Sequence, residues 1–451
     1  MAETKKGNAR TAALRALTAM RRSGAWSQDA LNSAIRAQQL DERDAALATS
    51  ICLTVLRNRI LIDEHLSVFS ARKLSDLQPV VLDILRIAAC QLEFMDRIPA
   101  SAAVNEAVDQ TKRSANPKAA GYVNGVLRAM ARGPLPALPD PGEGRKAMSV
   151  RWSHPEELTE LLAENVPPEL LPGMLEADNR IPLTALQVNE SRIDSKELLS
   201  SLRDQPNFHG EAEIHPWLPG CVCCSGLGDP ERLEAFRDGL FWVQDPAARL
   251  VVQAMELRSD MRVLDACAAP GGKSFAAALA VGKKGNVLSC DIHKNKLHRI
   301  RSGAQRLGFD QIETALSDAS VRDPSLEGRF DAVILDVPCS GYGVIAGKPE
   351  IRYKAPSSTE GLPSLQKKIL ENRCGTLRPG GVLMYSTCTV LKRENEEVAR
   401  SFLAEHPEFR PEPIVLPGIP LPENDGMLTL YPGGPLCTDG FFLCRMRKAY
   451  D

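Results

Sequence analysis

Two cysteines are set apart by their neighbours. Asp336-Val337-Pro338-Cys339-Ser340-Gly341 and Ser386-Thr387-Cys388-Thr389 place thiols 49 residues apart in polar, turn-forming stretches, each directly after an apolar run. The thiolate is the nucleophile, yet an ordinary thiol with a pKa of about 8.5 is only a few per cent ionised at neutral pH, so a cation or a helix N-terminus must activate it. Lys273 can supply charge, and a helix predicted over Arg393–Ala404 follows Cys388. Such thiols suit one difficult alkylation. Carbon 5 of a pyrimidine is a poor nucleophile, but adding a thiolate to carbon 6 makes it enamine-like. It can then attack a sulfonium methyl, and loss of the carbon-5 proton with elimination of the thiol releases the product. Asp336 can hydrogen-bond the cytosine edge. Spacing alone does not choose between the two thiols as attacker. Cys52, Cys90, Cys290, Cys374, Cys437 and Cys444 read as buried structural thiols.

The elements that must position these residues begin at Met261. Strands are predicted at Met261–Leu264, Asn286–Cys290, Ile312–Leu316, Asp331–Leu335 and Gly381–Tyr385, with helices such as Lys294–Leu307 and Leu362–Leu377 between them. That alternation implies a mostly parallel sheet with helices on both faces, whose ligands bind beyond the carboxyl ends of the strands. Met427–Tyr431 and Phe441–Met446 are expected to close the sheet as an antiparallel pair. After the first strand, Cys267, Ala268, Ala269, Pro270, Gly271, Gly272 and Lys273 form a small-residue loop that lets a ligand approach the backbone at a helix N-terminus. A phosphate-binding GxxxxGK[ST] loop needs glycine where Cys267 stands, and G-x-G-x-x-G is missing, so NTP and nicotinamide cofactors are excluded. Asp291 after the second strand suits a ribose diol, while Asp318 and Asp336 follow the third and fourth.

Upstream, the chain is organised differently. Residues 1–132 are predicted as an all-α domain, with helices at Ala12–Met20, Asp44–Arg57, Val80–Leu92 and Ala103–Thr111. This segment holds 19 Lys and Arg against 13 Asp and Glu, a net +6 that leaves −8 for the remainder, a balance suited equally to phosphate contacts and to a solvated helical surface. Residues 133–150 form a Pro/Gly linker, opening with four prolines and three glycines in Gly133–Gly144. Residues 151–239 read as a small α+β module, with helices near Pro155–Ala163 and Ser195–Leu202 and a strand at Leu183–Asn189; residues 240–451 form the α/β domain. No apolar run approaching about 18 residues is read, and the polar start lacks a secretory pattern, so a cytoplasmic protein without a membrane partner is expected. Twelve cysteines in such a chain are expected to remain thiols. Cys221, Cys223 and Cys224 with His209 and His215 lack paired CxxC spacing, so no metal is expected.

At these motifs the chain resembles the Nop/Sun family of S-adenosylmethionine-dependent RNA cytosine-5 methyltransferases, through DACAAPGGKS, DVPCSGYGV, LRPGGVLMYSTCT with the following ENEEV, and TDGFF at Thr438–Phe442. MDRIPASAAVNEAV (Met95–Val108) and YVNGVLR (Tyr122–Arg128) resemble the NusB-like RNA-binding domain of its bacterial Sun/Fmu branch, so the likeness covers nearly the whole chain. It implies a Rossmann-like class I methyltransferase domain, S-adenosylmethionine held by Cys267–Lys273 with Asp291, Asp318 and Asp336, and a cytosine of 16S rRNA, naked or in a partly assembled small subunit, as substrate. It also assigns attack to Cys388 and assistance in product release to Cys339. No obligate protein partner is evident. Two departures from the family's pattern remove expected phosphate contacts: Gln187 in Leu186-Gln187-Val188-Asn189 replaces an Arg, and Ala346-Gly347 replaces a basic pair. The rival readings are a non-catalytic RNA-binding factor with a vestigial cofactor fold, opposed by the intact thiols and loop, and a DNA methyltransferase, opposed by Glu394-Asn395-Glu396 following the second thiol.

Overall fold

The computed structural model describes residues 7–205, 208, 210–416 and 418–450. They fall into two compact units. The first runs from the N-terminus to Ala163 and takes in Leu175–Arg180 and Ile345–Lys354; the second comprises Glu164–Met174, Ile181–Val344 and Ala355–Asp451.

Seven helices lead the first unit: α1 (Ala9–Ser23), α2 (Ser27–Gln38), α3 (Glu42–Phe69), α4 (Pro79–Phe94), α5 (Ala100–Ser114), α6 (Ala120–Arg132) and α7 (Arg145–Arg151). The four helices expected from periodicity lie inside α1, α3, α4 and α5. The start of α1 is set locally, since Asn8 Oδ1 accepts from the backbone N–H of Arg10 and Thr11 and Gly24 ends the helix at φ +64. The N-cap of α2 is Trp26, which has no side-chain acceptor. Glu350, 323 positions away, does that work by accepting from Ser27 N (3.0 Å) and Ser27 Oγ (2.9 Å). A long-range cap leaves no local signal, and α2 escaped the periodicity reading. The later part of the predicted linker is likewise α7. Among the described residues, helix α3 is long and apolar enough by length and composition to cross a membrane, yet its apolar residues serve the core. Ala48, Ile51, Cys52, Val55 and Leu56 recur at three- and four-residue steps, Ile62 and Leu66 follow beyond the non-helical Asn58, and all are buried in the helical core, each large one contributing about 1.5–3 kcal/mol.

Ile345–Lys354 completes this unit. Arg352 is fully buried: its Nη1 donates to the carbonyl of Arg57 (2.7 Å), to that of Ser153 (3.2 Å) and to Asn179 Oδ1 (2.7 Å), and its Nη2 to the carbonyl of Asp178 (2.9 Å). Tyr353 donates its hydroxyl to the Leu56 carbonyl (2.6 Å) beneath the Arg59 guanidinium.

Two sheets build the second unit. A four-stranded antiparallel sheet of β1 (Thr184–Val188), β2 (Ala212–Ile214), β3 (Cys221–Cys224) and β4 (Phe241–Val243) has the order β2-β3-β1-β4. The larger sheet comprises β5 (Arg262–Asp265), β6 (Asn286–Asp291), β7 (Ile312–Leu316), β8 (Phe330–Asp336), β9 (Leu377–Thr387), β10 (Phe409–Pro411), β11 (Met427–Leu430) and β12 (Phe441–Lys448). Its order is β10-β12-β9-β8-β5-β6-β7, with β11 on β12. Strands β9-β8-β5-β6-β7 are parallel, β12 is antiparallel to β9, and β11 with β12 form the expected antiparallel pair. Buried on both faces, β8 carries a continuous apolar run, Ala332–Leu335, between Asp331 and Asp336.

Candidate active site

The carboxyl ends of β5, β6, β8 and β9 bring the predicted residues to one edge of the large sheet. After β5 the loop Cys267–Gly272 is tied to β6: Ala268 N donates to the Cys290 carbonyl (2.8 Å) and Ala269 N to Asp291 Oδ2 (3.3 Å). Asp291 Oδ1 accepts from His293 N (2.8 Å), so this acid is fixed in orientation. Gly271 sits at φ +115, where a Cβ would stand 2.7 Å from the Phe275 ring. The helix Gly272–Val281 starts there and carries Lys273.

Asp265, at the end of β5, is fully buried. Its Oδ2 accepts from Ser274 Oγ (2.7 Å), which in turn accepts from Ser289 Oγ (2.8 Å), while Oδ1 is buried without a partner among the described residues. Burial pushes this carboxyl up to about 7 against the help of the Ser274 hydroxyl. Asp265 opens the loop motif and is one of four acids that follow successive strands, but its residue type alone gives no sign of this burial. After β7, Asp318 Oδ1 accepts from the backbone and the hydroxyl of Ser320 (2.8 and 2.7 Å), which hold its carboxyl below the ordinary range. Buried Arg373 donates to the Asp318 carbonyl (2.6 Å) and to Ser317 Oγ (3.0 Å), fixing this loop. A basic residue in an otherwise amphipathic helix gave no sign of that role.

Lys273 and Asp336 form the charged centre. Lys273 Nζ donates to Asp336 Oδ2 (2.7 Å), and Ser386 Oγ donates to Asp336 Oδ1 (2.9 Å), so both carboxylate oxygens are engaged. Burial works to lower the Lys273 pKa, but the Asp336 carboxylate outweighs it and the ammonium stays charged. The ammonium lies 5.1 Å above the Phe441 ring, which comes from the TDGFF motif.

The two thiols meet beside this pair. Cys339 Sγ and Cys388 Sγ are 3.2 Å apart, and Cys388 N donates to Cys339 Sγ at 3.3 Å. The hydrogen bond with Cys388, followed by burial, pushes the Cys339 thiol well up, so Cys339 keeps its proton. The helix expected to activate Cys388 begins only at Glu396, beyond the 3₁₀ turn Lys392–Glu394, and carries Glu396 and Glu397 in its first turn. A helix dipole acts over one turn, so that helix does not reach Cys388, whereas the Lys273 ammonium interacts electrostatically with Cys388. Gly343 N donates to the Cys388 carbonyl (3.0 Å) and Gly440 N to the Gly343 carbonyl (2.7 Å), which locks the TDGFF motif against both thiol loops.

Other expectations are corrected. Gln187 is buried and donates to the Gln244 carbonyl (2.9 Å), so this position faces the core rather than a phosphate. Ala346 is buried too, and its carbonyl accepts from Arg57 (3.1 Å). Cys437 is exposed, whereas Cys52, Cys90, Cys290, Cys374 and Cys444 are buried. Cys221, Cys223 and Cys224 lie on β3, His215 Nε2 pairs with the Leu436 carbonyl (3.1 Å), and His209 falls outside the described residues.

A parallel sheet with a small-residue loop after its first strand and acids after its neighbours defines a Rossmann-like class I methyltransferase, here joined to a helical NusB-type domain. S-adenosylmethionine is the cofactor of this class. Residues 252–447 match the 16S rRNA methyltransferase RsmB/F family and residues 7–132 the NusB family. The chain is 35% identical to probable ribosomal RNA small subunit methyltransferase B of Bacillus subtilis, over 98% of this chain and 99% of that one. It is 32% identical to ribosomal RNA small subunit methyltransferase B of Xanthomonas campestris, over 98% and 97%. The crystal structure of PH0851 shares the fold over 98% of both chains, with TM-score 0.80 and 24% identity. NSun6 from Pyrococcus horikoshii with SFG shares it over 66% of this chain and 99% of that one, with TM-score 0.57 and 21% identity. The chain belongs to the family of S-adenosylmethionine-dependent small-subunit rRNA methyltransferases.

Proposed function

We propose that this protein methylates carbon 5 of a cytosine in 16S rRNA through a transient bond between Cys388 and carbon 6. The observation that carries the reading is the pair of thiols 3.2 Å apart, beside a Lys273–Asp336 ion pair, at the ends of adjacent parallel strands. Cys267–Lys273, Asp291, Asp318 and Asp336 would hold S-adenosylmethionine, which when bound supplies an electrophilic methyl group.

The chain's own residues account for the rest. Lys273 keeps a positive charge where the Cys388 thiolate forms. Asp336, fixed by Lys273 and Ser386, presents a carboxylate to the polar edge of the base. The Cys388 sulfur adds to carbon 6 and makes carbon 5 nucleophilic; once carbon 5 has gained its methyl group, its proton passes to solvent water, the C–H electron pair re-forms the bond between carbons 5 and 6, and the carbon–sulfur bond breaks with the sulfur leaving as thiolate. Cys339, which keeps its own proton, stands against that sulfur and assists the release. The base must leave its stack, at a cost of a few kcal/mol that is least in a loop, which favours naked or partly assembled rRNA. The basic helical domain suits contacts with the RNA backbone.

Replacing Cys388 by Ala should abolish methyl transfer while S-adenosylmethionine still binds in equilibrium dialysis. Replacing Cys339 by Ser should leave RNA on the protein as a denaturant-resistant adduct. Normal turnover by the Cys339 variant with no adduct on a denaturing gel contradicts the two-thiol assignment. Bisulfite sequencing of RNA from cells lacking the protein should reveal one unprotected 16S cytosine.

A further inference from the structure

Directly after the Cys388 loop, Glu394 and Asn395 are both fully buried, and their side chains turn to different loops. Glu394 Oε2 accepts from Ser340 N (2.9 Å), the residue after Cys339, and from Gln366 Nε2 (2.9 Å), which also donates to the Pro338 carbonyl (2.9 Å). The Cys339 loop is thus gripped on both sides of its thiol. Asn395 Oδ1 accepts from Thr387 Oγ1 (2.6 Å), and Asn395 Nδ2 donates to the Thr389 carbonyl (3.0 Å). Those two threonines flank Cys388. The grips are joined, since Ser340 Oγ and Thr389 Oγ1 share a hydrogen bond of 2.7 Å and Tyr385 donates its hydroxyl to the Glu394 carbonyl.

We propose that Glu394 and Asn395 are a divided positioning pair, Asn395 setting the Cys388 sulfur for attack and Glu394 setting Cys339 for release of the product. This rests on the reading of Cys388 as attacker and Cys339 as releasing thiol. Neither residue touches the reacting atoms. Each fixes the backbone on which one sulfur is mounted, and placing reacting atoms to within about 1 Å is worth as much as 100-fold in rate. The Glu394 carboxylate also stands among the groups that keep Cys339 protonated, after Cys388 itself and burial.

The geometry also dictates which substitutions conserve function. Both donors to Glu394 use Oε2, while Oε1 is buried without a partner among the described residues, so a glutamine can keep its carbonyl at the Oε2 position and lose neither bond. Asn395 uses both ends of its amide, so aspartate loses the donor and sets a charge against the Thr389 carbonyl.

The test uses the full-length protein with 16S rRNA. Asn395→Ala and Asn395→Asp should slow single-turnover methyl transfer about 10–100-fold without accumulating adduct. Glu394→Ala should leave the first turnover within about threefold, slow later turnovers about 10–100-fold and accumulate the adduct, and Glu394→Gln should recover most of that loss. Thr387→Val, which removes one donor without touching the pair, should follow the Asn395 variants and serves if those fail to fold. Rates of alkylation by iodoacetamide, resolved by peptide mass spectrometry without RNA, give a readout independent of the reaction: Cys388 should respond to Asn395 and Thr387, and Cys339 to Glu394. Identical kinetic and alkylation signatures for the Glu394 and Asn395 variants would overturn the division. If Cys388→Ala leaves methylation intact, the underlying reading fails instead, and the alkylation pattern alone decides whether the grips exist.

Discussion

At the scale of single residues, burial sets chemistry that residue type alone does not reveal. Asp265 is an ordinary acid in the sequence, yet full burial lifts its carboxyl to about 7. An acid whose pKa is higher folded than unfolded favours the folded state at low pH and loses that contribution as pH climbs through the folded value. Between about pH 4 and 7 the apoprotein should therefore lose up to ~1.4 kcal/mol per pH unit through this group, with Asp245, pushed up to about 6 by burial, acting in the same direction. Asp265→Asn mimics the protonated form and should flatten the decline. Urea unfolding at pH 5, 6 and 7.5 measures it, and an unchanged slope in the variant contradicts the assignment.

At the scale of elements, the site depends on loops held in unusual backbone states by neighbouring strands. Gly271 turns the chain from β5 into the helix that carries Lys273, with the left-handed φ and close Phe275 ring described above. Gly271→Ala should destabilise the protein by about 1–3 kcal/mol and weaken S-adenosylmethionine binding at least tenfold, read by thermal unfolding and dialysis. A variant that binds cofactor as tightly as the parent would show that the loop tolerates another path. Much at this scale is legible in the sequence. The central parallel strands β5, β8 and β9 each carry an apolar run followed by a polar residue, because strands covered on both faces cannot alternate, whereas the edge strand β7 mixes polar and apolar residues and is only partly buried. The helix after Cys388 starts three residues later than predicted because Lys392–Glu394 is helical in composition but forms a 3₁₀ turn, with Glu394 drawn to Ser340 N.

At the scale of the whole molecule, the chain is less modular than its order suggests. Ile345–Lys354 follows the Cys339 loop by a few residues yet belongs to the helical unit, where Arg352 satisfies carbonyls of Arg57, Ser153 and Asp178. Arg352→Ala leaves those acceptors buried and unpaired and should cost about 3 kcal/mol or more. Its signature should be faster proteolysis within α1–α7, while S-adenosylmethionine binding, proposed for residues of the other unit, stays within about twofold. Loss of cofactor binding in step with the helical unit would contradict this separation.

What could be read from residues alone was whatever local chemistry announces: helical periodicity, apolar strands, turn-forming loops and thiols in polar company. The tertiary structure decided what depends on partners far apart in the chain. It brought the two thiols to 3.2 Å, engaged both oxygens of Asp336, turned Gln187 into the core and supplied α2 with a cap from Glu350. The physical reason is that a hydrogen bond or a desolvated charge is defined by what lies within a few ångströms in space, and chain order bounds that distance only for near neighbours.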